Sequence, residues 1–270
     1  MIRLAFLLAC LAFPAAAQDR IVSLGGSVSE IVAALGAADR LVARDSTTLY
    51  PPELIDLPDV GYIRSLSPEG VLSVGPDIIL AEDGAGPVEV VEALQQAGVP
   101  FVSIPEDPSP EGVLAKIRAV AAALDMPAQG EALAADVAEA FAAVPEPEGQ
   151  PLRVLFVLAQ QGGRLMVGGQ GTAADGIIRL AGGMNAATGF SGYKPMTDEA
   201  IITAQPDAIL MMTRGESHAL SDADLLAHPA LAVTPAAQIP VIRMDGLLLL
   251  GFGPRTPQAA RDLHAAIYGG

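Results

Sequence analysis

Tyrosine and arginine offer the most specific chemistry in this chain. There are only four tyrosines, Tyr50, Tyr62, Tyr193 and Tyr268. Tyr62 follows Asp59-Val60-Gly61 and precedes Ile63-Arg64, in a loop ahead of a helix. A guanidinium two residues from a phenol stabilises the phenolate. Phenolate is a hard ligand for ferric iron and one of the established protein ligands to haem. Read alone, a loop tyrosine of this kind is more often a packing residue, and Arg64 a solvated charge.

Enzyme constellations do not assemble. No G-x-S-x-G elbow and no H-E-x-x-H occurs, and His218, His228 and His264 are dispersed. Gly162-Gly163 and Gly168-Gly169-Gln170-Gly171 match neither a P-loop nor a dinucleotide fingerprint, and no phosphate-binding lysine accompanies them. They read as a hairpin turn and the approach to a helix. One cysteine in 270 residues leaves little room for a structural zinc site or a disulfide framework. A formal charge of −16, from 15 basic and 31 acidic residues, argues against nucleic acid as a partner.

The first residues read as a secretory signal peptide. Met1-Ile2-Arg3 is basic, residues 4–13 are apolar, and Ala15-Ala16-Ala17 suits cleavage before Gln18. That run falls short of the roughly 20 apolar residues a membrane span needs. Cys10 would leave with it, and the remaining acidic, Ala-rich chain suits a bacterial periplasm.

Beyond residue 18, short apolar strands alternate with helices between glycines and prolines, which predicts a mostly parallel sheet covered on both faces. Strands are expected at 20–24, 41–43, 76–80 and 99–104, with helices after Gly25-Gly26 and over 88–96. Ser27 with Glu30 has the spacing of a capping box. Two helices, 111–124 and 128–144, then lead to a Pro-rich break and a restart of the alternation at 154–158. The expected organisation is an N-terminal α/β lobe over 18–126, an interlobe helix and Pro-rich link over 127–149, and a C-terminal α/β lobe over 150–270.

An internal echo relates the two lobes. Residues 67–80 and 197–210 share S/T-x-E, an apolar helix, Pro-Asp and a strand in register, and Gly61-Tyr62 and Gly192-Tyr193 precede them. Glu69 and Glu199 therefore fall in the first turns of equivalent helices, where the helix dipole favours a carboxylate.

Several segments together resemble the periplasmic haem-binding proteins that feed ABC importers, members of the helix-linked binding proteins that also include vitamin B12 and siderophore binders. They are residues 20–30, Arg44-Asp45-Ser46-Thr47, residues 60–70, Gly171-Thr172-Ala173-Ala174-Asp175 and Gly251-Phe252-Gly253-Pro254-Arg255-Thr256. The resemblance implies two Rossmann-like lobes joined by a long rigid helix, with the ligand cleft between them. It implies no catalytic activity, and ferric haem b as transported ligand, with Tyr62 on the iron and Arg64 supporting the phenolate or a propionate. Gln161, Tyr193 and Arg214 are expected along the cleft. Glu69 and Glu199 are expected to dock on a dimeric inner-membrane permease, the protein itself being a monomer that is not membrane-embedded. Some members carry a second-lobe histidine in the stretch that here reads Leu158-Ala159-Gln160-Gln161-Gly162-Gly163, so one haem is expected rather than two. Cobalamin or a ferric siderophore on the same frame is the alternative, and a secreted α/β enzyme the remote one.

Overall fold

The computed structural model describes residues 20–147, 149–213 and 220–269. The signal-peptide expectation for residues 1–17 and the assignment of Arg214 to the cleft lie outside them. The first lobe runs β1 (Ile21–Leu24), α1 (Gly26–Ala34), β2 (Leu41–Arg44), α2 (Pro68–Leu72), β3 (Ile78–Glu82), α3 (Val88–Gln96) and β4 (Phe101–Ile104). Its four strands are all parallel, in the order β2-β1-β3-β4. The four residues of β1 are all buried, as expected for a strand covered on both faces. The chain leaves β1 in one direction for β2 and returns on its other side as β3. Ligands of open α/β sheets bind beyond the carboxyl ends of the strands at such a reversal.

Helices α4 (Pro110–Ala123) and α5 (Pro127–Ala142) carry the chain to the second lobe. They pack closely because Gly130 has no side chain: a Cβ there would lie 2.3 Å from the Cβ of Ala121. The second lobe comprises β5 (Arg153–Gln161), β6 (Arg164–Gly168), α6 (Ala173–Leu180), β7 (Met184–Asn185), β8 (Tyr193–Met196), α7 (Asp198–Ala204), β9 (Ala208–Thr213), α8 (Asp222–Leu226), β10 (Ile242–Asp245), α9 (Gly246–Leu250) and α10 (Thr256–Tyr268). Its sheet has the order β10-β9-β5-β6-β8. Unlike the first sheet it is mixed, since β6 runs antiparallel to both β5 and β8. The reason is local. Gly162 and Gly163 both adopt positive φ and turn β5 directly back as β6, leaving no chain for a crossover helix.

The α/β, two-lobed architecture is therefore as expected, but the lobes do not meet through a helix alone. One apolar cluster includes Ile21, Val28 and Leu80 of the first lobe, Ile117 and Val137 of the linking helices, and Phe156, Ile177, Phe252 and Leu263 of the second. Separate clusters fill the outer side of each lobe.

One local expectation is corrected. Ser27 does not cap α1; the helix starts at Gly26 with Gly25 as cap, and no side chain caps it. Gly25, at φ +120°, and Gly26 let the chain turn sharply there, and a Cβ on Gly26 would overlap the Thr47 carbonyl. Ser27 and Glu30 are consequently inside the helix on its buried side, available to partners elsewhere.

Candidate functional site

Tyr62 lies between β2 and α2 with 47% of its surface exposed. Gly61 before it has φ +104°, a conformation glycine adopts without steric cost. The carbonyl of Tyr62 accepts from Ser65 N–H at 2.7 Å, so a tight turn displays the ring. Among the described residues the Tyr62 hydroxyl has no hydrogen-bond partner and its ring no aromatic or cationic neighbour. Arg64 runs from this turn to the loop after β3, where its Nη1 lies 3.2 Å from the position a Cβ of Gly84 would take. It thus sits at the carboxyl end of β3, on the crevice side of the switch between β1 and β3.

From the other lobe, Tyr193 opens β8 after the positive-φ Gly192. Its ring packs over Gly168 and meets Phe156 edge-on at 6.2 Å. Burial raises the phenol pKa, while the Ala174 amide, the Thr172 hydroxyl and the charge of Arg64 oppose the rise. The effect of Arg64 on Tyr193 places these two residues of different lobes in each other's electrostatic range. Gln161 ends β5 at the hairpin turn, exposed.

Glu69 and Glu199 occupy matching places. Ser67 caps α2 by accepting from Gly70 N–H at 3.1 Å, and Thr197 caps α7 by accepting from Ala200 N–H at 3.3 Å. Each glutamate stands exposed in the first turn, and among the described residues neither forms an ion pair.

Sequence reasoning missed two polar ties between the lobes. Arg255 donates to buried Glu30 of α1 at 2.9 Å, and its guanidinium lies 3.6 Å from the centroid of the Tyr50 ring. Fully buried Lys116 of α4 holds Ser27 at 3.0 Å, Glu82 at 3.2 Å, Glu106, and the carbonyl of Gly251 in the second lobe at 3.2 Å. Only the capping-like pair Ser27 and Glu30, polar residues on a largely apolar helix, hinted at either.

Burial pushes the Glu106 carboxyl up to about 7, with the Glu82 charge adding and Lys116 opposing. The folded state then binds a proton more tightly than the unfolded chain, so its stability falls as pH rises from the ordinary carboxylate range through about 7. Glu106→Gln is expected to flatten that fall, read as Tm against pH between 4.5 and 8. An unchanged slope would show that the Lys116 cluster does not titrate there.

The comparisons with known proteins agree with this architecture. The family model described as periplasmic binding protein matches residues 21–240. The structure of the periplasmic heme-binding protein BhuT in complex with two hemes is 42% identical, with TM-score 0.86 over 92% of this chain and 97% of that one. The apo form of the periplasmic heme-binding protein RhuT from Roseiflexus sp. RS-1 is also 42% identical, with TM-score 0.88 over 93% and 98%. The vitamin B12-binding protein of Pectobacterium carotovorum subsp. carotovorum (strain PC1) is 28% identical over 260 residues, covering 95% of this chain and 91% of the relative. With a two-lobed fold, a crevice at the first sheet's switch point and a family match over most of its length, this chain belongs to the periplasmic binding protein family.

Proposed function

We propose that this protein captures haem between its lobes and delivers it to an ABC permease of the inner membrane. The observation that supports this most is Tyr62: a half-exposed phenol without a hydrogen-bond partner among the described residues, on a turn beside Arg64 at the crevice. Two structural neighbours of 42% identity bear the description of periplasmic heme-binding proteins. In this reading the Tyr62 phenolate ligates ferric haem b, and Arg64 supports it or a propionate. Gln161 and Tyr193 line the second-lobe wall. Haem is large and apolar, so the cleft buries much of it and leaves the propionates near its edge. The protein acts as a monomer without catalytic activity, exported through cleavage of residues 1–17. Glu69 and Glu199 each meet one subunit of the permease.

Cobalamin is the second reading, supported by the vitamin B12-binding relative. Titration of the purified chain separates the two. Hemin is expected to saturate at one equivalent with phenolate-type charge-transfer bands, and cyanocobalamin to leave no saturable signal. The reverse result overturns the haem reading. Saturation at two equivalents overturns the single-haem stoichiometry, which rests on the absence of a histidine from residues 158–163.

A further inference from the structure

Because the Tyr62 side chain touches no hydrogen-bond partner among the described residues, its direction is set by its backbone, and one arginine holds the chain that leads into it. Arg44 ends β2 and is only 9% exposed. Its N–H donates to the carbonyl of Pro58 at 3.0 Å, and its own carbonyl accepts from Val60 N–H at 2.9 Å. The guanidinium donates to the carbonyl of Ile55 through Nε at 3.2 Å and Nη2 at 2.9 Å. Nη1 donates to the Asp45 carbonyl and to Asp59 Oδ2, each at 3.1 Å. The remaining Asp59 oxygen, Oδ1, accepts from Gly61 N–H at 2.8 Å. The Gly61 carbonyl accepts from Ser46 N–H at 2.9 Å, so the glycine before Tyr62 is fixed on both sides. The turn carrying Ser46 is itself anchored by buried Asp45, which accepts from Thr47 N–H and, at the start of α1, from Gly25 N–H, both at 3.1 Å.

We propose that Arg44 is a positioning residue for Tyr62: acting through Asp59 it fixes Gly61, and so aims the phenol at the iron of the bound ligand. This rests on the reading of Tyr62 as iron ligand. The chemistry requires arginine. A planar fork reaches two carbonyls and a carboxylate at once, whereas a lysine ammonium is a point charge on a flexible stem. Gly61 at φ +104° has no steric preference of its own for one orientation, so the relay supplies it.

The test compares Arg44→Lys, Asp59→Asn, Tyr62→Phe and the core variant Leu263→Ala with the native chain, each loaded with hemin. Arg44→Lys is expected to weaken and shift the phenolate-to-iron band. It should also speed hemin dissociation about tenfold or more, the scale found when outer partners of a metal ligand are removed. Asp59→Asn keeps an oxygen for Gly61 N–H but loses the charge Arg44 grips, and should fall between. Leu263→Ala should lower Tm with band and rate native, because Leu263 is fully buried in α10 away from the loop. A native band and rate in Arg44→Lys, whatever its Tm, overturns the inference. If Arg44→Lys fails to fold, Asp59→Asn decides alone, and a native band and rate in it overturns the inference. If Tyr62→Phe keeps the native band, the iron-ligand reading itself fails; if only Tyr62→Phe changes, that reading stands and the positioning role falls.

Discussion

Tyr62→Phe is expected to remove the phenolate-to-iron charge-transfer absorption and to weaken hemin binding by about two orders of magnitude, or ~2.7 kcal/mol. The substitution deletes one oxygen from a side chain that is 47% exposed and has no hydrogen-bond partner among the described residues. Its cost to folding should stay within about 0.5 kcal/mol, so any loss of affinity is a loss of ligation. Some affinity should survive, because the apolar porphyrin still leaves water when it enters the cleft. The measurement is a hemin titration by absorbance, with Tm recorded alongside. Undiminished affinity with an unchanged spectrum would show that Tyr62 does not ligate the iron.

Reversal of both Glu69 and Glu199 to lysine is expected to abolish haem uptake by a reconstituted importer while leaving hemin affinity within about twofold of native. Both residues are exposed in the first turns of α2 and α7, on helices capped in the same way by Ser67 and Thr197. A lysine there opposes the helix dipole at a cost of about 0.3–1 kcal/mol each, which the fold should tolerate. Docking is more sensitive, since like charges placed opposite each other cost several kcal/mol and slow encounter. Each single reversal should retain partial uptake, because the other lobe still docks. Hemin binding lost in the double variant would mean that both glutamates belong to the ligand site instead.

Legibility in the sequence followed the range of the interactions involved. Strands β1, β3 and β5 are apolar runs set off by glycine or proline, and short-range pattern suffices to find them. The equivalence of α2 and α7 was readable because capping is a contact within four residues. Tyr62 stood out by rarity and by the glycine before it. The antiparallel course of β6 was legible in Gly162-Gly163, which read as a hairpin turn and form one between β5 and β6. The supposed capping box at Ser27 failed because the adjacent Gly25-Gly26 turn let the helix start earlier, and long-range partners then claimed both side chains.

By itself the sequence determined the alternation of elements, the break between lobes, the paired acidic helix starts and the tyrosine with the chemistry to hold ferric iron. All of these depend on residue type and on neighbours a few positions away. Tertiary structure alone decided which distant charges meet. Glu30 and Arg255, 225 residues apart, pair across the lobes, and Lys116 of the linking helix α4 donates to the Gly251 carbonyl of the second lobe, 135 residues away. Buried charges need partners wherever the fold can bring them, and no local pattern records which partner that is. The grip of Arg44 on the Tyr62 turn belongs to the same class: its carbonyl, carboxylate and amide contacts exist only once β2 and the loop after it lie side by side.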